Sequence, residues 1–196
     1  MKCDILFAGV GGQGVLSMAA VIGRAAVDEG LRAKQSEVHG MAQRGGAVQA
    51  HLRISDDLIE SDLIPLGGAD MVLSLEPVEA LRYLAYLSPA GALITASNPY
   101  LNITDYPDLD SLIARIRTLP RAVVVDAERL ATEAGDVQTV NTVMVGAAAH
   151  ALPLPPETLE QAVVEMFERK GESAVAMNRT AFRLGREAAE AATVAR

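Results

Sequence analysis

Apolar and polar positions along this chain follow two periods, and the points where one gives way to the other mark the elements. Residues 3–8 (CDILFA) are apolar, short and ended by glycine, the pattern of a buried parallel strand. A glycine-rich turn occupies Gly9–Gly14. From about Gln13 to Glu29 the residues Val15, Met18, Ala19, Ile22 and Ala26 recur on one helical face, with Gly30 as the stop. Leu31–Ser36 predicts a second strand, and 37–47 (EVHGMAQRGGA) reads as a glycine-broken loop. Next, Val48, Ala50, Leu52 and Ile54 alternate with Gln49, His51, Arg53 and Ser55. Period 2 of this clarity predicts an antiparallel strand at a sheet edge, with one wet or interface-forming face.

Further strands are predicted at 70–75, 92–96 and 122–126. Helices are predicted over about Pro77–Leu87, with proline in the first turn, and over Asp108–Thr118. Residues 98–107, with Asn98, Pro99, Asn102 and Pro107, read as a surface loop. Beyond 126 only helical spacing remains: 127–134, 140–152, a run through Leu159, Ala162, Val163, Met166 and Phe167, and a last helix over 173–194, with Pro153, Pro155 and Pro156 as punctuation. Strands alternating with helices imply an α/β fold, a Rossmann-like, doubly wound and mainly parallel sheet with helices on both faces and a C-terminal helical region. We read residues 1–196 as one domain, with the α/β core over about 1–126 and the helical part over about 127–196.

Composition narrows the chemistry. Half the residues are hydrophobic but only 4% are aromatic and none is tryptophan, so the core is aliphatic and an aromatic-lined pocket for a large flat ligand is disfavoured. A net charge of −8 argues against nucleic-acid binding, which needs clustered Lys and Arg. The single cysteine, Cys3, excludes an internal disulfide, a four-thiolate cluster and a cysteine-based zinc site, and it suits a reducing, cytoplasmic location. No apolar run is long enough to span a bilayer, and the apolar N-terminus leads straight into turn chemistry, as a strand does and a signal peptide does not.

Two segments are candidates for binding. Gly9, Gly11 and Gly14 satisfy G-x-G-x-x-G between a strand and a helix, with Gly12 as an extra glycine and Gln13 beside it. Such a turn permits close backbone approach, and the helix amino end offers unbonded N–H groups to an anion. Three readings stay open: a dinucleotide site, another phosphate-bearing ligand or a partner's backbone, and a purely structural turn. The dinucleotide reading wants an acid near the end of the second strand. Glu37 is placed roughly right but begins the loop. That loop is the second candidate. Glu37, His39, Gln43, Arg44, Gly45 and Gly46 lie where α/β folds carry function, and an Arg followed by two glycines can present its planar fork to a carboxylate or phosphate. The histidines share no metal-ligand spacing, so no metal site is expected; His51 reads as contact surface and His150 as structural. Ser17 is not in a G-x-S-x-G elbow, and Glu76 and Glu79 read as helix-start acids. No catalytic set stands out.

The segments ILFAGVGGQGVLSMAAVIGRAA, QSEVHGMAQRGGAVQAHLRIS and LEPVEALRYLAYLSPAG, with DYPDLDSLIARI, VDAERLATEAG and VNTVMVGAAA later, resemble the gamma-type subunits of 2-oxoacid:ferredoxin oxidoreductases, most of all the small subunit of the indolepyruvate type. The resemblance covers nearly the whole chain, and SEVHGMAQRGG is its most distinctive piece. It implies a subunit without a cofactor of its own. Thiamine diphosphate and [4Fe-4S] clusters would belong to a large alpha subunit, CoA would take up the acyl group, and ferredoxin would receive electrons through the complex. It also implies that the isolated chain is inactive. The alternative from the residues alone is a stand-alone nucleotide- or dinucleotide-binding module.

Overall fold

The computed structural model describes residues 1–39, 45–101 and 105–194. In chain order the elements are β1 (Lys2–Val10), α1 (Val15–Asp28), β2 (Arg32–His39), β3 (Ala47–Ser55), β4 (Ala69–Ser74), α2 (Pro77–Arg82), β5 (Leu87–Ala96), α3 (Leu109–Arg117), β6 (Ala122–Val125), α4 (Ala127–Ala134), α5 (Val140–Ala148), α6 (Pro156–Phe167) and α7 (Glu172–Val194). The strands form one sheet in the order β2-β3-β1-β4-β5-β6. β1, β4, β5 and β6 are parallel neighbours, and β3 runs antiparallel to both β1 and β2.

Two expectations change here. β3 is antiparallel, as its alternation implies, but it is not an edge: β2 lies outside it. The second strand also runs on through the start of the expected loop. Glu37, Val38 and His39 pair with Ala50, Gln49 and Val48, so Glu37 and His39 are strand residues. Pairing with β3 gives these backbone groups partners, which outweighs the loop-like composition that follows. Two antiparallel pairings in succession leave β2 pointing the same way as β1, so its carboxyl end reaches the same edge of the sheet.

Each face of the sheet has its own core. On one, Ile5, Phe7, Ala50, Leu52, Met71, Leu73 and Ile94 pack beneath α1 and the C-terminal helices. On the other, Leu6, Val72, Leu93 and Ala122 pack with Ile113 and Ile116 of α3, Ala80 of α2, and Ile64. α5 is apolar nearly all round and is buried from Thr142 to Ala148, as a helix enclosed by neighbours must be. It crosses α7 at two glycines. A Cβ on Gly146 would collide with the Phe182 carbonyl oxygen, and one on Gly185 with that of Val143.

The polar face of β3 is not a contact surface. His51 is buried; its Nδ1 accepts the Ile64 N–H at 3.1 Å, and its ring meets Tyr86 edge-on at 5.6 Å. Arg53 donates through Nε and Nη2 to both oxygens of the fully buried Asp4, at 2.9 and 3.0 Å, and through Nη1 to the carbonyls of Ser61 and Leu63. Lys2 adds a second cation 2.9 Å from Asp4. These side chains tie the segment between β3 and β4 across the sheet. Burial, which disfavours the charged ring, lowers the His51 pKa below its ordinary value.

Candidate functional site

The carboxyl edge of the sheet begins where β1 runs out at Val10. Gly9 lets the following turn fold back onto the strand, since a Cβ there would sit 2.8 Å from Val15 Cγ2. The Gln13 side chain then closes the turn on itself: its Oε1 accepts the Val10 N–H at 2.7 Å, and its Nε2 donates to the Leu75 carbonyl beyond β4 at 3.4 Å. Positive φ falls on Gly12 (105°) and Gly14 (91°). Gly14 is the N-cap of α1. No side chain caps that end and its first turn holds no acid, so the partial positive charge of the helix terminus is left uncompensated.

The two candidate segments meet at Gly11. Its N–H donates to the Gly46 carbonyl at 2.8 Å, and its own carbonyl accepts the Gly45 N–H at 3.2 Å. The β2–β3 hairpin is thus bonded backbone-to-backbone to the glycine turn. Backbone therefore approaches backbone closely at Gly11.

Between turn and hairpin lies a cavity of about 470 Å³, lined by Val10, Gly11, Gly12, Gly14, Val15, Leu16, Ser17, Glu37 and Val48. Its size is within the usual range for small-molecule sites. The glycine turn, the first turn of α1, Glu37 of β2 and the aliphatic residues Val10 of β1 and Val48 of β3 thus share its lining. The structure therefore gathers the turn glycines, Glu37, Gly45 and Gly46 at one corner. His39 ends β2, its backbone paired with Val48. Gln43 and Arg44 lie outside the described residues.

The sequence reading weighs Ser17 only as a nucleophile and Val48 only as a strand residue, and it does not place either, or Leu16, in a site. Ser17, three residues past Gly14, could have been found as a first-turn residue of a helix after a glycine fingerprint. Asn141 had no such signal: it comes from α5, and its Nδ2 lies 3.0 Å from where a Gly14 Cβ would sit.

Glu76, Glu79, Tyr106 and Arg82 are bound to one another near this edge. Glu76 caps α2, its Oε2 accepting the Glu79 N–H at 2.8 Å while its Oε1 accepts the Tyr106 hydroxyl. Glu79 is buried, which raises its pKa, and pairs with Arg82. These acids start a helix, as expected. His150 Nδ1 lies 3.0 Å from the Ala147 carbonyl oxygen. Among the described residues no group of three His, Cys, Asp or Glu side chains could hold a metal ion. Cys3 is buried, and its thiol is pushed up to about 12 by burial and then by Asp70 and Asp4. No helix among the described residues is long and apolar enough to cross a membrane.

Comparison with known proteins places this fold and its glycine corner in a family. The chain belongs to the pyruvate ferredoxin/flavodoxin oxidoreductase family, whose match covers residues 4–188. Within it, the chain is similar to indolepyruvate oxidoreductase subunit IorB of Archaeoglobus fulgidus, with 38% identity over 94% of each chain. It is likewise similar to subunit IorB of Pyrococcus horikoshii, at 39% over 95% of this chain and 96% of that one. The gamma subunit of a keto/oxoacid ferredoxin oxidoreductase from Geobacter sulfurreducens superposes with a TM-score of 0.74 at 28% identity, over 98% of both chains. The 2-oxoglutarate:ferredoxin oxidoreductase of Magnetococcus marinus, solved with 2-oxoglutarate, coenzyme A and succinyl-CoA bound, shares the fold at 22% identity and a TM-score of 0.77. That match covers 97% of this chain and 31% of that longer one. The protein is thus a gamma-type subunit of an oxoacid:ferredoxin oxidoreductase.

Proposed function

We propose that this chain is the cluster-free small subunit of a cytoplasmic, thiamine diphosphate-dependent oxidoreductase acting on aryl pyruvates such as indolepyruvate. Decarboxylation, the iron–sulfur clusters and delivery of electrons to ferredoxin are assigned to a large partner subunit. This chain does not fit the redox groups: one buried cysteine cannot supply the four thiolates of a [4Fe-4S] cluster. It does offer residues for CoA. The uncapped amino end of α1 and the turn amides suit a phosphate, and Leu16, Val15 and Val48 suit an apolar stretch.

The observation that carries this reading is the pair of hydrogen bonds at Gly11, which makes turn and hairpin one surface around one cavity. The test is reconstitution with the large subunit and titration of CoA. Gly12→Ala strains only the backbone, since a Cβ there meets nothing within 4 Å. It should raise the apparent KM for CoA or weaken subunit affinity while leaving the fold intact. Arg44→Ala should act the same way, and the isolated chain should not turn over an aryl pyruvate with CoA and a viologen dye. Wild-type constants for both variants, or turnover without a partner, would overturn the assignment.

A nucleotide- or dinucleotide-binding module is favoured by one observation, the presence of Glu37 in the glycine cavity at the end of β2. Against it, β3 separates β2 from β1. At about 4.8 Å per strand this sets Glu37 roughly 10 Å from the β1 line, too far out for the usual ribose contact. Saturable NADH binding at micromolar concentration would revive that reading.

A further inference from the structure

A second cavity, of about 330 Å³, adjoins the first, and Ser17 lines both. That volume is near the lower end for small-molecule sites, which run from roughly 300 to 1,000 Å³. Its walls come from helices of the C-terminal part: Asn141 of α5, Met166 and Phe167 of α6, Lys170 after α6, and Met177 and Asn178 of α7.

Lys170, Asn141 and Asn178 bring donors to this lining. The Lys170 ammonium lies 5.1 Å from the centre of the Phe167 ring and pairs with no carboxylate among the described residues. Asn141 Oδ1 accepts the Thr142 N–H at 2.9 Å, which leaves its Nδ2 to donate elsewhere. Asn178 is buried; its Oδ1 accepts the Thr142 hydroxyl at 2.6 Å, and its Nδ2 gives one hydrogen to the Ala174 carbonyl at 2.9 Å and keeps the other. The same lining carries two thioethers and an aromatic ring, soft groups that adapt to an apolar guest. One carboxylate, Asp136, also reaches the cavity. Its Oδ1 accepts the Gln138 N–H at 2.9 Å.

We propose that this cavity binds an organic monoanion with an apolar, aromatic body, its carboxylate held by Lys170 and the Asn141 amide and its body lying between Phe167, Met166 and Met177. A phosphate dianion fits poorly. It would face Asp136 with a single lysine for compensation, and it would leave the apolar wall unused. The site borders the glycine turn through Asn141 and Ser17.

The test is titration of the full chain with phenylacetate, followed by calorimetry and by the ¹³C-methyl signals of its methionines. The expected result is saturable binding with a Kd of about 1 mM or tighter, with shifts concentrated on Met166 and Met177. Lys170→Met should weaken binding about tenfold, and Met177→Trp, which fills the cavity, should abolish it, both at unchanged Tm. Acetate should not saturate over the same range. The proposal is overturned if phenylacetate does not saturate, if acetate binds as well, if inorganic phosphate displaces phenylacetate, or if Lys170→Met binds like wild type.

Discussion

Gly11 and Gly46 are 35 residues apart in sequence and share a hydrogen bond of 2.8 Å, and the return bond from Gly45 to Gly11 makes the contact reciprocal. A turn that would otherwise present bare backbone to solvent is thereby fastened to the end of a hairpin. The Gly11 and Gly45 amides should exchange with solvent deuterium far more slowly than the Gly12 amide, although all three lie outside helices and strands. Equal exchange at the three amides, read by NMR, would show that the contact does not persist in solution.

The crossing of α5 and α7 rests on the absence of side chains at Gly146 and Gly185. Alanine at either must push the helices apart, an overpacking cost of about 1–3 kcal/mol or more. For a chain of this size that lowers Tm by roughly 2–4 °C per kcal/mol. Gly30→Ala is not a suitable control because its φ is 77°. Gly23→Ala, whose Cβ would meet only Leu52 Cδ1 at an ordinary 3.4 Å, is the better one and should melt near wild type.

Arg53→Met removes the bidentate partner of a carboxylate with no exposure to solvent. Breaking one side of such a pair costs about 3–5 kcal/mol, and here Lys2 remains to soften the loss. Asp4→Leu combined with Arg53→Met takes away both charges and should recover more than half of the stability. Urea denaturation of the wild type and the two variants measures this, and a double variant no better than Arg53→Met would contradict the buried-pair account.

His51 gives the fold a pH dependence whose sign follows from its lowered pKa. The neutral ring accepts the Ile64 N–H, so the folded state takes up a proton at lower pH than the unfolded state does. The contribution is fully present above the unfolded value of about 6.5 and is lost as pH falls through the folded value. Between pH 7.5 and 6 the urea midpoint should fall, with a slope of at most about 1.4 kcal/mol per pH unit. In His51→Gln, which keeps an acceptor but does not titrate, that slope should be reduced.

Much of this fold was legible because its elements carry their own signals. The apolar run of β1, the turn glycines, the one-sided α1 and the acids capping α2 each state a local preference that the tertiary structure keeps. What was hidden is pairing. Alternation in β3 reveals that one face differs from the other, but not that the different face lies under residues 56–68, because a buried Arg–Asp pair and a hydrogen-bonded histidine look polar in sequence. The site divides the same way. The turn announces itself, and Glu37 stands out both as an acid at the right spacing and as the start of the second candidate segment. The bond between Gly11 and the hairpin joins backbone atoms, so no side-chain pattern encodes it. Asn141 approaches the turn from 127 residues away.

The strand order also bears on how the chain is made. By Ser55 a nascent chain has produced α1 and the strands β1, β2 and β3, which form the contiguous block β2-β3-β1 of the finished sheet. Each later strand, β4, then β5, then β6, is laid against the one made just before it, apart from β4, which returns to the waiting edge of β1. A ribosome can therefore release the sheet in the order of its assembly, growing outward in one direction. The apolar edge left open at each stage is covered by the next segment to emerge.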